Sequence, residues 1–178
     1  MPAETTTPMD LALKEARTAA DRGEVPVGAV VTGSGGAVIA AAGNRTIELR
    51  DPTAHAEILA IRKAASVLGS ERLTGCDLYV TLEPCAMCAA AISFARIRRL
   101  YFGAGDEKMG AVESGPRFFS QPTCHHSPEV YGGIGESRAR ALLVQFWQGE
   151  PGGMVEHIPP VPASVLPRDD GHSQAVRV

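Results

Sequence analysis

The chain has 178 residues, of which 44% are hydrophobic and 21% charged, a composition typical of one globular domain. Its formal net charge of −3 excludes nucleic-acid binding driven by overall charge alone. No apolar run approaches the roughly 18–20 residues of a membrane-spanning helix, and the opening residues MPAETTT do not resemble a secretory signal. We therefore expect a cytoplasmic protein with no membrane partner. Its four cysteines indicate thiols or metal ligands.

Helical and strand patterns alternate along the chain. The first part predicts a helix over 9–22, a hairpin with strands over 25–32 and 37–42, a loop over 44–52, and a helix capped by Thr53 that runs to about residue 68. The second part predicts strands over 77–82, 99–104 and 129–131, a helix from Pro84 toward Phe94, a loop over 105–128, and a closing helix over 136–148. This order predicts a three-layer α/β/α sandwich.

The composition changes at residue 149, beyond which prolines and glycines are frequent and no helical period is visible. We expect a domain over residues 1–148 and a flexible tail over residues 149–178.

Three side chains have the chemistry and spacing of a metal site. Cys85 and Cys88 lie three positions apart on a predicted helix, in its first turn, where the helix dipole favours thiolates. Together with His55 they offer two sulfurs and one nitrogen, a set that selects zinc over magnesium or calcium. Structural zinc sites have four protein ligands, whereas catalytic sites leave one position for water. Three ligands therefore predict one catalytic zinc ion per chain.

Glu57 lies two residues beyond His55 and suits the role of a proton shuttle for a zinc-activated water. The arrangement H-x-E…P-C-x-x-C is the signature of zinc nucleobase deaminases. Two alternatives remain open at this point. The cysteine pair could be a redox pair, which would leave His55 and Glu57 without a role. The zinc could be structural, with a fourth ligand among Cys76, Cys124, His125 and His126.

Several segments resemble the bacterial tRNA-specific adenosine deaminase family of the cytidine deaminase-like superfamily. The resemblance is carried by HAE at 55–57 and PCAMC at 84–88, and further by EVPVGAV at 24–30, DPTA at 51–54, YVTLEPC at 79–85 and FGA at 102–104. Asp106 and Lys108 follow the last of these segments as they do in that family. The resemblance extends from about residue 9 to residue 148.

The resemblance implies a central five-stranded mixed sheet, a homodimer, and hydrolytic conversion of adenosine to inosine at the wobble position of a tRNA anticodon stem-loop. It also implies the metal ligands His55, Cys85 and Cys88 and the proton shuttle Glu57. It implies five substrate contacts: a hydrogen bond from Asn44 to the purine, a base pocket lined by Val27 and Leu82, and contacts of Asp106 and Lys108 with the anticodon backbone or sugar.

Each of these substrate contacts has a plainer alternative. Asn44 could be a turn residue, Val27 and Leu82 ordinary core residues, and Lys108 a solvated charge. The basic residues Arg96, Arg98 and Arg99 could line an RNA channel, or could form a helix-to-strand connection or a dimer contact. Near the end of the last helix, Phe146 fits the inward period, which leaves Trp147 as the candidate for stacking on a base.

Two other functions compete with tRNA deamination. A free nucleobase or nucleoside deaminase, acting on guanine or cytosine, would share the zinc motif but should cover its pocket with C-terminal elements. A zinc-stabilised RNA-binding module would have no need for Glu57. The residues QGEP at 148–151 also lack the basic helix extension frequent in the tRNA deaminases, which weakens the expected grip on tRNA.

Overall fold

The computed structural model describes residues 5–149. Its elements are α1 (Pro8–Asp21), β1 (Gly28–Thr32), β2 (Val38–Gly43), α2 (Thr46–Leu49), α3 (Ala56–Leu68), β3 (Asp77–Leu82), α4 (Ala86–Phe94), β4 (Arg99–Ala104), a 3₁₀ turn (Phe118–Ser120), β5 (Glu129–Tyr131) and α5 (Glu136–Gln148). Among them there is no helix of the length and apolarity needed to span a bilayer. Apart from Gly149, the tail predicted over 149–178 lies outside the described residues, so its flexibility and the domain boundary at 148 stay predictions.

The five strands form one mixed sheet in the order β2-β1-β3-β4-β5. Strand β1 runs antiparallel to both β2 and β3, whereas β3, β4 and β5 are parallel. Alternate residues of β1 face opposite layers: Val30 packs with α1 and α5, and Ala29 and Val31 pack with α3 and α4. The predicted three-layer α/β/α sandwich with a five-stranded mixed sheet is confirmed.

Helix α1 lies unusually close to the sheet because two glycines face it. Gly28 and Gly43 are paired across β1 and β2. A Cβ atom on Gly28 would lie 1.9 Å from the backbone oxygen of Ala12, and one on Gly43 would lie 2.7 Å from the backbone oxygen of Glu15. Any side chain at Gly28 would therefore force the helix away from the sheet, at a cost of about 1–3 kcal/mol.

Two predictions for the segment between β2 and α3 are wrong. Thr53 does not cap α3: its backbone N–H and hydroxyl both donate to Asp51 Oδ1, at 2.8 and 2.7 Å, and the helix begins at Ala56 with His55 at the N-cap. The predicted loop over 44–52 contains the short helix α2. The backbone N–H groups of Ile47 and Glu48, in its first turn, donate hydrogen bonds to Glu24, a residue distant in sequence.

The parallel strands end at one edge of the sheet, and this edge carries the candidate site. Strand β3 ends at Leu82 and leads through Glu83 and Pro84 directly into α4. Beside it, β4 ends at Ala104 and leads into the loop over 105–128. Ligands of open α/β sheets bind outside the carboxyl ends of parallel strands, so the topology brings the zinc motif and this loop to the expected place.

Candidate active site

The N-termini of two helices meet at the three predicted metal ligands. His55 is the N-cap of α3, Cys85 is the N-cap of α4, and Cys88 lies in the first turn of α4. Neither N-cap side chain bonds to its own helix, so both are available to each other. His55 Nδ1 lies 3.7 Å from Cys85 Sγ and 3.6 Å from Cys88 Sγ.

These distances fit a zinc ion. A nitrogen about 2.0–2.1 Å and a sulfur about 2.3 Å from a tetrahedral zinc are about 3.6 Å apart. The three ligand atoms all lie within 4.8 Å of one another, and no fourth His, Cys, Asp or Glu ligand joins them within residues 5–149. The donor set is therefore suited to a zinc ion that keeps one position open.

The proposed fourth ligands of a structural zinc site lie elsewhere. Cys76 is buried in the hydrophobic core between the sheet and α3. Cys124 lies near Ser93, with its sulfur 3.6 Å from the serine hydroxyl, and His126 Nε2 lies 2.6 Å from the backbone oxygen of Ile97. The geometry consequently favours an open metal site over a closed structural one.

Neighbouring groups shift the pKa values of both cysteines. Hydrogen bonds from Cys88 and from His55 outweigh burial and lower the pKa of Cys85 to about 4. The same hydrogen bond to Cys85, together with burial, raises the pKa of Cys88. The hydrogen bond to Cys85 also raises the pKa of His55. Cys85 is therefore the more acidic thiol of the pair, and thiolate is the form that binds zinc.

Glu57 lies in the first turn of α3 and is only 4% exposed. Burial raises the pKa of Glu57 to about 7, although a hydrogen bond from its own backbone and the neighbouring His55 oppose the shift. Its side chain lines the same cleft as His55 and Cys85. A carboxyl group that titrates near neutral pH can both accept and donate a proton, which is what general acid–base catalysis needs.

His55 and Cys85 line a cleft of about 870 Å³ together with Val27, Asn44 and Leu82. Asn44 is only 8% exposed, and its Oδ1 accepts a hydrogen bond of 2.8 Å from the backbone N–H of Ala56. Because the side-chain oxygen is used in this way, the amide nitrogen is the group left to contact a ligand, and it is a donor.

Asp106 and Lys108 both line the cleft, but their side chains differ in how free they are to contact a ligand. Asp106 Oδ1 accepts hydrogen bonds from the backbone N–H groups of Lys108 and Met109, at 3.0 and 3.1 Å, and so shapes its own loop. Lys108 is exposed, with its charge at the rim of the cleft.

The predicted basic run lies at the other end of the sheet. Arg98 forms a two-pronged ion pair with Asp77, and Arg99 pairs with Glu129, both near the beginning of β4. Arg96 adopts a left-handed backbone conformation, with φ of 61°, in the turn between α4 and β4. Of the alternatives for these arginines, the structure supports the helix-to-strand connection and not a channel beside the metal triad.

Helix α5 supplies a wall of the cleft that the sequence analysis identified only in part. The face is formed by residues spaced four, three and four apart: Glu136, Arg140, Leu143 and Trp147. Trp147, the predicted stacking residue, is 48% exposed and packs edge-on against the ring of Phe146 at 5.2 Å. The helical spacing was the available signal for Arg140, which lines the cleft where Arg98 does not.

Two buried carboxylates beside the cleft were missed altogether. Glu24, 1% exposed, accepts hydrogen bonds from the backbone N–H groups of Ile47 and Glu48. Glu83, 3% exposed, does the same for the loop after β4. Burial acts to raise the pKa of Glu83, but hydrogen bonds from that loop outweigh it and hold the pKa below its usual value. No local sequence pattern shows these long-range partners.

Comparison with known proteins identifies the family. The family described as the cytidine and deoxycytidylate deaminase zinc-binding region matches residues 3–104, more than half of the chain. A relative from Agrobacterium fabrum named tRNA-specific adenosine deaminase is 66% identical over 146 residues, which cover 82% of this chain and 95% of the relative.

Solved structures agree. One, from a study of A-to-I editing by tRNA:A34 deaminases at the wobble position of transfer RNA, is 68% identical, has a TM-score of 0.75, and covers 76% of this chain and 98% of its own. The guanine deaminase from Nitrosomonas europaea is more distant, 26% identical with a TM-score of 0.69 over 78% of this chain and 82% of its own. The chain therefore belongs to the cytidine and deoxycytidylate deaminase zinc-binding family and, within it, to the tRNA-specific adenosine deaminases.

Proposed function

We propose that this chain hydrolyses adenosine to inosine at the wobble position of a tRNA anticodon stem-loop, with His55, Cys85 and Cys88 as ligands of one zinc ion. The observation that carries the proposal is a three-ligand metal triad that opens, beside a buried carboxyl group, into a cleft much larger than one base. The relative that is 66% identical and bears the name tRNA-specific adenosine deaminase supports the choice of substrate.

The reaction replaces the 6-amino group of the purine with the oxygen of water and releases ammonia. Zinc, when bound, acts as a Lewis acid that makes this water a nucleophile at neutral pH. Glu57 moves two protons: the one that the attacking water loses goes to N1 of the purine, and the one that the added hydroxyl loses goes to the departing nitrogen. Because the side chain is buried within the first turn of α3, next to His55, it stays beside the open metal position during both steps.

Three residues that line the cleft hold the nucleobase. Asn44 donates a hydrogen bond from its amide nitrogen to a ring nitrogen of the purine, since its oxygen is bound to Ala56. Val27 and Leu82, which also line the cleft, provide apolar surface for the ring. This assignment makes Asn44 a base-edge contact and leaves the loop with Lys108 to contact the sugar-phosphate backbone.

Deamination of a free nucleobase is the second candidate, favoured by the similarity to the Nitrosomonas europaea guanine deaminase. Such an enzyme should cover its pocket. Within residues 5–149, α5 lines the cleft of about 870 Å³ through residues such as Arg140 and Trp147, and the cleft remains open to solvent. Unpaired bases of an RNA loop are cheap to extrude into a site of this kind.

A second copy of the chain is the partner that we propose for α4. This helix carries no charged residue, and Met87, Ala90, Ala91 and Phe94 form an unburied stripe at helical spacing, in which Phe94 is 73% exposed. Such a surface is typical of a subunit interface.

Phe94→Asp should shift the protein from dimer to monomer in sedimentation equilibrium, because it places a charge in the apolar stripe. Val67→Asp, at an exposed site on α3, should leave the dimer intact. Equal effects of the two substitutions would contradict this interface.

We also propose the cytoplasm as the location of the protein. None of the four cysteines, Cys76, Cys85, Cys88 and Cys124, forms a disulfide, as is usual for proteins of a reducing compartment.

The roles of metal and proton shuttle can be separated by two substitutions. Glu57→Gln should retain one zinc per chain and bind the anticodon stem-loop normally, yet lose turnover by at least about 10²–10⁴-fold, because only the proton transfer is removed. Cys88→Ala should lose zinc and turnover together. Zinc is measured by atomic absorption and inosine by mass spectrometry. Full zinc occupancy in Cys88→Ala, or a tenth of the normal rate in Glu57→Gln, would contradict the assignments.

Binding of a polynucleotide predicts a specific dependence on salt. Lys108→Ala should weaken binding of the stem-loop and reduce the slope of log K against log salt by about 0.7, the value for one phosphate of single-stranded RNA. Lys63→Ala removes the same charge from an exposed site on α3 that does not line the cleft, and should change neither. Equal effects of the two substitutions, or no inosine in the wild-type reaction with the stem-loop, would contradict the proposed substrate.

A further inference from the structure

We propose that Glu83 is a positioning residue for the substrate: its buried carboxylate holds the loop over residues 105–115, here called the substrate loop, at the distance from the metal triad at which Lys108 meets the RNA backbone. This inference rests on the proposed function, because the position of Lys108 matters only for a polynucleotide. Glu83 lines the same cleft, but among the described residues its side chain forms hydrogen bonds to the loop and not to His55, Cys85 or Cys88.

The carboxylate binds both ends of the substrate loop at once. Glu83 Oε1 accepts hydrogen bonds from the backbone N–H groups of Val112, Glu113 and Ser114, at 3.2, 2.8 and 2.8 Å. Glu83 Oε2 accepts one from the backbone N–H of Asp106, at 2.9 Å, and one from the Ser114 hydroxyl, at 2.9 Å. The two oxygens therefore join the beginning of the loop to its end, and the segment with Lys108 lies between them.

The same short segment of chain carries a metal ligand. The backbone N–H of Ala111 donates to the oxygen of Pro84 at 2.9 Å, and Cys85 and Gly110 form an isolated β-bridge. Residues 83–85 consequently hold the substrate loop and the first thiolate together. These contacts fix the position of the loop with respect to Cys85.

The fit between carboxylate and loop leaves no spare room. A Cβ atom on Gly110 would lie 2.6 Å from the Glu83 carboxylate and 2.3 Å from the backbone oxygen of Asp106. Glu83 forms no ion pair with a Lys or Arg among residues 5–149; its charge is satisfied by the loop's own N–H and O–H donors. A buried carboxylate without these donors would be strongly unfavourable, so loop and carboxylate depend on each other.

Substitution by glutamine keeps the shape of Glu83 but not its acceptors. One of the two oxygens becomes an NH₂ group that faces N–H donors, so only one end of the substrate loop remains held. The metal triad and Glu57 are untouched. Glu24 provides a matched control, because it is an equally buried carboxylate that accepts backbone N–H groups, from α2 and not from the substrate loop.

The test is a double-mutant cycle of Glu83→Gln with Lys108→Ala, measured as KM and kcat for the anticodon stem-loop. Glu83→Gln should raise KM about tenfold and leave kcat within about twofold, because binding and not the chemical step is lost. Zinc content should stay at one per chain. Lys108→Ala should add little to the KM of the Glu83→Gln enzyme, since residues that act as a unit are not additive. In the Glu24→Gln enzyme, Lys108→Ala should have its full effect.

Ser114→Ala gives a milder version of the same test, because it removes only the hydroxyl donor to Glu83 Oε2. It should raise KM less than Glu83→Gln does, again with full zinc and unchanged kcat, and it decides the matter if Glu83→Gln does not fold. An active wild-type enzyme in which the effects of Glu83→Gln and Lys108→Ala add in full, or in which both Glu83→Gln and Ser114→Ala lower kcat or lose zinc, would overturn this inference alone. A wild-type enzyme that forms no inosine in the stem-loop would overturn the proposed function and this inference with it.

Discussion

The site depends on one structural constraint: helices α3 and α4 begin at the same point beside the carboxyl ends of the parallel strands. Their N-caps, His55 and Cys85, thereby face each other at 3.7 Å, and Cys88 joins them from the first turn of α4. Helix N-termini offer unpaired N–H groups and a positive dipole end, which favour thiolate over thiol. The same arrangement buries Glu57 one residue into α3, where it lies beside the metal position. A single packing arrangement therefore brings together the three residues that could hold a metal ion and the carboxyl group that we propose as the proton carrier.

Recognition is built differently, from irregular chain held by buried negative charge. Glu24 satisfies the N-terminus of α2 and so supports the wall that contains Asn44, and Glu83 satisfies both ends of the substrate loop opposite. A loop carries backbone N–H groups that must find partners, and a buried carboxylate needs donors. The backbone N–H groups of the loop donate hydrogen bonds to the carboxylate, so both groups are satisfied. In the function that we propose, the residues of the chemical step thus lie at helix termini, whereas the residues that contact the substrate lie on loops and on α5.

The metal chemistry could be predicted from local spacing, because His55, Glu57 and the two cysteines are placed by helices that begin within a few residues of them. The strands and their layers were predictable for the same reason, from periodicity. Partners distant in sequence were not predictable. Glu24, more than twenty residues before α2, accepts hydrogen bonds from the first turn of that helix. Arg98 lies away from the cleft, at the start of β4, where Asp77 of the neighbouring strand binds it. Thr53 was expected to cap α3, but its hydroxyl binds Asp51 instead. An N-cap hydroxyl accepts a hydrogen bond from a helix N–H, whereas this hydroxyl donates to a nearby carboxylate.

The central claim is that the open cleft beside the zinc triad serves an adenosine within RNA and not a free base. The measurement that tests it most directly is a competition in one vessel between the anticodon stem-loop and free guanine at equal concentration, with inosine and xanthine quantified by mass spectrometry. The account predicts that inosine forms in the stem-loop and that xanthine is negligible. Faster formation of xanthine than of inosine would contradict it.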